Sequence, residues 1–192
     1  MTLTTTPTLI YRPDGEPGSE PLSITPGPTS LAGIRIGVME NAKPNSDVVM
    51  GRAAEVMAAR VGGTVTVLTG KRLPNSAEFD NAKGDEMGIS EGVLQLLKEK
   101  ADVVITGVAD CGSCSAYTAY DTIELERNGI PTILTTTTRF EQIARTLVTD
   151  FGLPSARTLV LPHPIGGTDH ERLFEWGEQA VDELIIQFSR QV

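Results

Sequence analysis

Cys111 and Cys114 are the only cysteines of this 192-residue chain, and they stand in the run Cys111-Gly112-Ser113-Cys114. Two intervening residues suit an attacking thiolate with a resolving partner, and equally the closure of a small disulfide ring. The preceding run, Asp102-Val103-Val104-Ile105-Thr106-Gly107-Val108, reads as a buried strand, and residues 115–127 read as a helix. The pair therefore falls on the first turn of a helix at a strand's end. Free backbone N–H groups and the positive end of the helix dipole favour a thiolate there. Gly112 lets the backbone approach a ligand closely, and Ser113 adds a hydroxyl. Asp110 acts the other way as an anion, unless it serves as proton acceptor for the attack. The bland alternative is two inert buried thiols. Structural zinc is disfavoured, because His163 and His170 are the only histidines and no second cysteine pair exists.

Further candidates lie after other strands. His163, between Pro162 and Pro164, is a general acid–base, a partner for the Cys111 thiolate, or a loop histidine bonded to a carbonyl. Lys43, with Asn41 and Asn45, is placed to hold an anionic substrate, although Asn and Pro44 also build ordinary turns. In the run Thr135-Thr136-Thr137-Thr138, hydroxyls such as Thr136 and Thr137 line a polar pocket or cap the helix that begins near Arg139. Gly166-Gly167 before a helix is a weak phosphate signal. No Gly-x-Gly-x-x-Gly or Walker-type loop follows the first strand, so nucleotide cofactors lack support.

The elements that must position these residues alternate regularly. Strands are expected over 34–39, 64–68, 103–108, 131–136 and 158–161. Helices are expected over 46–61, 89–100, 115–127, 139–151 and 168–189. That order predicts a doubly wound α/β fold, a mainly parallel sheet with helices on both faces. Ligands bind beyond the carboxyl ends of such strands, which selects residues 40–45, 70–74, 109–115, 135–138 and 162–168. Residues 1–32, rich in Thr, Pro, Gly and Ser, are expected to form an N-terminal arm, with short strands at Leu9-Ile10-Tyr11 and Pro21-Leu22-Ser23-Ile24. Residues 33–192 then form a single α/β domain.

Composition narrows the function class. The formal charge of −9 and scattered Lys and Arg argue against nucleic acid. No apolar run approaches a membrane span, and no secretory signal is read at the start. Two cysteines in an acidic chain fit a cytoplasmic setting where the dithiol is kept reduced.

The signature Ala109-Asp110-Cys111-Gly112-Ser113-Cys114-Ser115 resembles the UGSC family, recognised through members with a selenocysteine-Gly-Ser-Cys motif. The loop Asn41-Ala42-Lys43-Pro44-Asn45-Ser46-Asp47 is similar to that family's Asn-Gly-Lys-Pro-Asn-Ala-Asp stretch, with Ala42 in place of the usual Gly. The runs 123–131 and 162–167 are similar as well, so the resemblance spans about residues 10–190. It implies a thiol or selenol oxidoreductase, with Cys111 at the selenocysteine position and Cys114 as partner thiol. A fold-level similarity to cysteine racemases of the aspartate/glutamate type implies the non-redox alternative.

The expected function is thiol-dependent chemistry by Cys111 and Cys114 on a small, anionic or reducible molecule. An external thiol or thioredoxin-like protein would act as reductant, with no bound cofactor or metal. A racemase-, lyase- or hydrolase-like cysteine enzyme and a redox-sensing accessory protein are the alternatives. A homo-oligomer is expected from the arm and the amphipathic last helix.

Overall fold

The computed structural model describes residues 21–71 and 88–190. Five strands form one parallel sheet in the order β2-β1-β3-β4-β5: β1 Arg35–Glu40, β2 Thr64–Thr69, β3 Val103–Ala109, β4 Thr132–Thr137 and β5 Arg157–Leu161. This is the flavodoxin-like order 2-1-3-4-5, with its switch point between β1 and β3. The expected doubly wound α/β fold is therefore the observed one.

Strand side chains alternate between two apolar layers, as parallel strands buried on both faces require. On one face Ile36, Val38, Val103, Ile105, Ile133 and Leu159 pack beneath α1 (Ser46–Val61), α5 (His170–Gln179) and α6 (Val181–Phe188). On the other, Met39 and Val104 meet α2 (Glu91–Lys100) through Val93, Leu94 and Leu97. Leu134 and Ala109 there meet Ala119 of α3 (Gly112–Arg127) and Ala144 and Val148 of α4 (Glu141–Asp150).

The expected closing helix over 168–189 is two helices, broken at Ala180. Its apolar positions Leu173, Gly177, Val181, Leu184 and Phe188 keep helical spacing through the break, which is why the pattern reads as one. Gly177 lets α5 lie directly on α1, since a Cβ there would stand 2.8 Å from the Val49 carbonyl oxygen.

Of the expected arm strands, 9–11 lies outside the described residues and 21–24 is not a strand. Leu22 donates its N–H to the Gly152 carbonyl (2.7 Å), and Ile24 packs with Ile123 and Leu153. The segment runs on the chain's own core. Its fastening is a buried ion pair at the sheet's amino end. Arg157 Nη1 reaches Glu126 Oε1 at 3.0 Å, and both side chains are fully buried. Arg157 also donates to the carbonyls of Thr25 (2.7 Å) and Gln187 (3.0 Å). Glu126 accepts the N–H groups of Thr25 (2.5 Å) and Thr132 (2.9 Å). Burial pushes the Glu126 carboxyl above its ordinary value, against the opposing pull of these donors and of Arg157. Burial likewise lowers Arg157.

Candidate active site

The cysteines stand where β3 ends and α3 begins. Cys111 is the N-cap of α3 in an extended conformation (φ −160°, ψ 169°), and its sulfur accepts the Cys114 N–H at 3.2 Å. A sulfur thus takes the position of the usual capping oxygen, at the positive end of a helix whose first turn carries no acidic residue. The two sulfurs are paired as a disulfide, with Cα atoms 5.2 Å apart. Ser113 Oγ lies 3.6 Å from the Cys111 sulfur. Ser115 Oγ donates to the Cys111 carbonyl at 2.7 Å. Gly112 and Ser113 are exposed and both cysteines are half-buried, so the pair opens outward.

The strand leading to them is irregular. β3 shifts register against β4 between Thr106 and Ala109. Gly107, at φ +147°, crosses β4 so closely that a Cβ would stand 2.7 Å from the Thr135 carbonyl oxygen. Irregularities of this kind next to a site re-aim the side chains that follow.

The first residue so aimed is Asp110, whose side chain is 2% exposed. Asp110 Oδ1 stands 2.6 Å from His163 Nδ1 and accepts from Thr137 Oγ1 at 3.1 Å. Thr137 Oγ1 is in turn 3.3 Å from His163 Nδ1. Asp110 Oδ2 accepts the Ile165 N–H at 3.3 Å and faces Lys43 Nζ at 3.6 Å. One buried carboxylate thereby ties together the exits of β1, β3, β4 and β5. His163, 27% exposed, packs against the Phe140 ring with centroids 5.6 Å apart. Both carboxylate oxygens already have donors, which leaves Asp110 ill-placed to take a proton from Cys111.

The remaining expected residues divide. Asn41 Nδ2 donates to the Val108 carbonyl (2.9 Å) and to Thr118 Oγ1 (3.0 Å). Asn45 Nδ2 donates to the carbonyls of Ile165 (3.2 Å) and Thr168 (3.0 Å). Both amides thus hold loops together, and Lys43 is the cation of that group which stands at the site. Thr136 Oγ1 donates to the Ala109 carbonyl at 3.0 Å. α4 begins after Phe140 without a side-chain cap, so these threonines bind strand exits and cap no helix. Gly166 lies beside Lys43, its built Cβ 3.7 Å from Lys43 Cε. Gly167 is exposed, and the helix beyond it starts at His170 with Asp169 as cap and Glu171 in its first turn. Those two acids work against an anion at that end.

Sequence reasoning placed Lys71 within the 70–74 strand exit but gave it no role. It pairs with Asp121 of α3, which is fully buried, and lies 4.9 Å over the Tyr117 ring. The signal was available: Asp121 shares the inward face of α3 with Thr118, Thr122 and Leu125. A carboxylate on such a face calls for a cation. Beside Lys43 a cavity of about 390 Å³ opens between the ends of β1 and β2, lined by residues including Glu40, Lys43, Asn45, Asp47, Leu68 and Gly70. Among the described residues, no three or more His, Cys, Asp or Glu side chains group as metal ligands. No helix among them is long and apolar enough to cross a membrane.

Residues 6–190 match the UGSC family. The chain belongs to the UGSC family. Its cysteine pair is consistent with a cysteine-containing member, with two residues between Cys111 and Cys114. Among solved structures, the UGSC chain is similar to the flavodoxin of Streptococcus pneumonia TIGR4. The match has 15% identity and a TM-score of 0.41, and covers 80% of this chain and 98% of that one. No functionally curated protein matches it.

Proposed function

We propose that this UGSC protein is a thiol-dependent enzyme that reduces a small molecule, with Cys111 as nucleophile and Cys114 as resolving thiol. The observation that carries this reading is the pairing of the two sulfurs at an outward-facing helix N-terminus on the ligand-binding edge of the sheet. The Cys111 thiolate attacks one sulfur of a disulfide substrate, displaces the other as a thiolate and forms a mixed disulfide. The Cys114 thiol loses its proton and attacks the Cys111 sulfur, closing the Cys111–Cys114 disulfide and releasing the second thiolate. Two electrons pass to the substrate, both product thiolates are protonated, and an external thiol or thioredoxin-like protein reopens the disulfide. Lys43 supports a preference for anionic substrates. We place the enzyme in the cytoplasm as a homo-oligomer, one α/β domain over 33–192 preceded by an arm over 1–32.

The test is intact-mass alkylation with iodoacetamide, with and without prior reduction. Reduced protein should gain two adducts and oxidised protein none. Cys114→Ser should trap a mixed disulfide with a small disulfide probe, and Cys111→Ser should not. Thiols that never couple would overturn the reading. The second reading, a non-redox cysteine enzyme, draws on the Asp110–His163 pair, which needs no sulfur to act in proton transfer.

A further inference from the structure

We propose that the free edge of β5 is the docking site for the chain's own residues 9–11, which add there as a short antiparallel strand. The proposal is independent of the thiol reading. β5 has β4 on one side and, among the described residues, no strand on the other. The Leu161 carbonyl accepts the Thr138 N–H, so Leu161 and Leu159 turn their backbone groups to β4. By the two-residue alternation of a strand, the N–H and C=O groups of Thr158 and Val160 point the other way. There both residues line a cavity of about 380 Å³. Arg145 of α4 walls it on one face of the sheet, and Trp176, Gln179 and Glu183 of α5 and α6 wall it on the other. Backbone groups turned into a cavity between helices call for a partner strand.

The charges at this cavity are already matched. Arg145 donates to Glu141 (2.9 Å), and Gln187 donates to Glu183 (2.5 Å). The edge therefore suits an uncharged segment that brings its own N–H and C=O groups. Walls on both faces admit one bare strand, whereas a second copy's β5 comes flanked by the same helices. Leu9-Ile10-Tyr11 is uncharged, apolar and rich in strand-favouring residues. It lies outside the described residues, but the far end of its tether lies within them. The Leu22 N–H bonds the Gly152 carbonyl (2.7 Å), in the connection that leads into β5. Residues 12–20 span up to roughly 30 Å when extended, and β5 is about 17 Å long. The tether thus reaches the whole edge. It starts at the amino end of β5, so a strand running antiparallel to β5 delivers Tyr11 closest to it. The family match begins at residue 6 and includes this segment.

One register satisfies every partner. Leu9 stands opposite Val160 and Tyr11 opposite Thr158, and each pair exchanges both N–H···O bonds. Ile10 then stands opposite Leu159, on the face where Trp176 packs. The next residues to point at β5 are Pro7 and Pro13, which have no N–H to give. Pro7 would face Pro162, and Pro13 would face Ala156, whose carbonyl already accepts Thr158 Oγ1 at 3.3 Å. The pairing ends where its donors end.

Amide hydrogen exchange on the full chain tests the pairing. The Val160 amide should be protected in the wild type. Leu9→Pro removes the N–H that faces the Val160 carbonyl, and Thr8→Pro removes one that points away. Leu9→Pro should speed exchange at Val160 and Thr158 about tenfold or more, and Thr8→Pro should change it by less than about twofold. An unprotected Val160 in the wild type overturns the proposal, as do equal effects of the two prolines. Position is read by placing the photo-crosslinker p-benzoylphenylalanine at residue 11 and mapping the product by mass spectrometry. A link within one chain to β5 or Arg145 is expected. A covalent dimer joined at those residues would give the edge to a second copy's arm, and a link elsewhere would give it to another occupant; both overturn the proposal. Should Leu9→Pro not fold, wild-type exchange and the cross-link decide.

Discussion

Cys111 holds the first turn of α3 by accepting the Cys114 N–H at 3.2 Å, so the proposed nucleophile is also a helix cap. Serine caps at least as well as a thiol, and alanine does not cap. In the reduced state Cys111→Ser should match or exceed wild-type stability, and Cys111→Ala should fall about 1 kcal/mol below Cys111→Ser. Urea unfolding in excess reductant measures this. Equal midpoints for the two variants would show that the cap contributes nothing.

Ala42 has φ 60°, a left-handed conformation unfavourable for any residue with a Cβ. It stands where the family stretch has Gly. Ala42→Gly relieves about 1–2 kcal/mol of strain and loses part of it to the freer unfolded chain. A net stabilisation of up to about 1 kcal/mol is expected by thermal or chemical unfolding. A destabilised Ala42→Gly would contradict this.

The Arg157–Glu126 pair is fully buried, and removing one partner strands a charge. Arg157→Met should cost about 3–5 kcal/mol. It should also raise amide hydrogen exchange around Thr25, whose carbonyl Arg157 holds. A loss under 1 kcal/mol would mean the pair can be dispensed with.

The same pair sets a pH dependence. Glu126 has a folded value raised above the ordinary 4.5 by burial. The folded state therefore binds this proton more tightly than the unfolded state. Its contribution to stability is greatest below the ordinary value and declines as pH rises through the raised one. Glu126→Gln should remove that part of the slope. Unfolding free energies measured from pH 4 upward in both proteins test the sign.

Gly177 has no room for a side chain against α1. Gly177→Val should separate the two helices and cost about 1–3 kcal/mol, as overpacking does. Differential scanning calorimetry would register it, and an unchanged transition would show that α5 is free to move.

The alternation of strands and helices was legible in the sequence because both faces of the sheet are apolar and each helix has one apolar side. The cysteine site was legible for the same reason: a strand pattern gives way to a helix pattern at Cys111. Asp110 as a hub was not. Its partners Lys43, Thr137, His163 and Ile165 come from three other strand exits, and no local pattern states how far a side chain reaches across a sheet. The amides of Asn41 and Asn45 looked free for a ligand because the carbonyls they bind lie dozens of residues away. Residues 21–24 alternate like a strand but find no strand partner, and their neighbours fasten instead to Glu126 and Arg157.

The buried ion pair sits at the amino end of the sheet and the cysteines at the carboxyl end, separated by the length of a strand, about 17–20 Å. Substitutions farther apart than about 10 Å usually act additively. The molecule thus offers two independent dials. Its robustness can be retuned around Glu126 without altering the thiols' reactivity. Combined variants at Glu126 and Cys111 should show a coupling energy near zero.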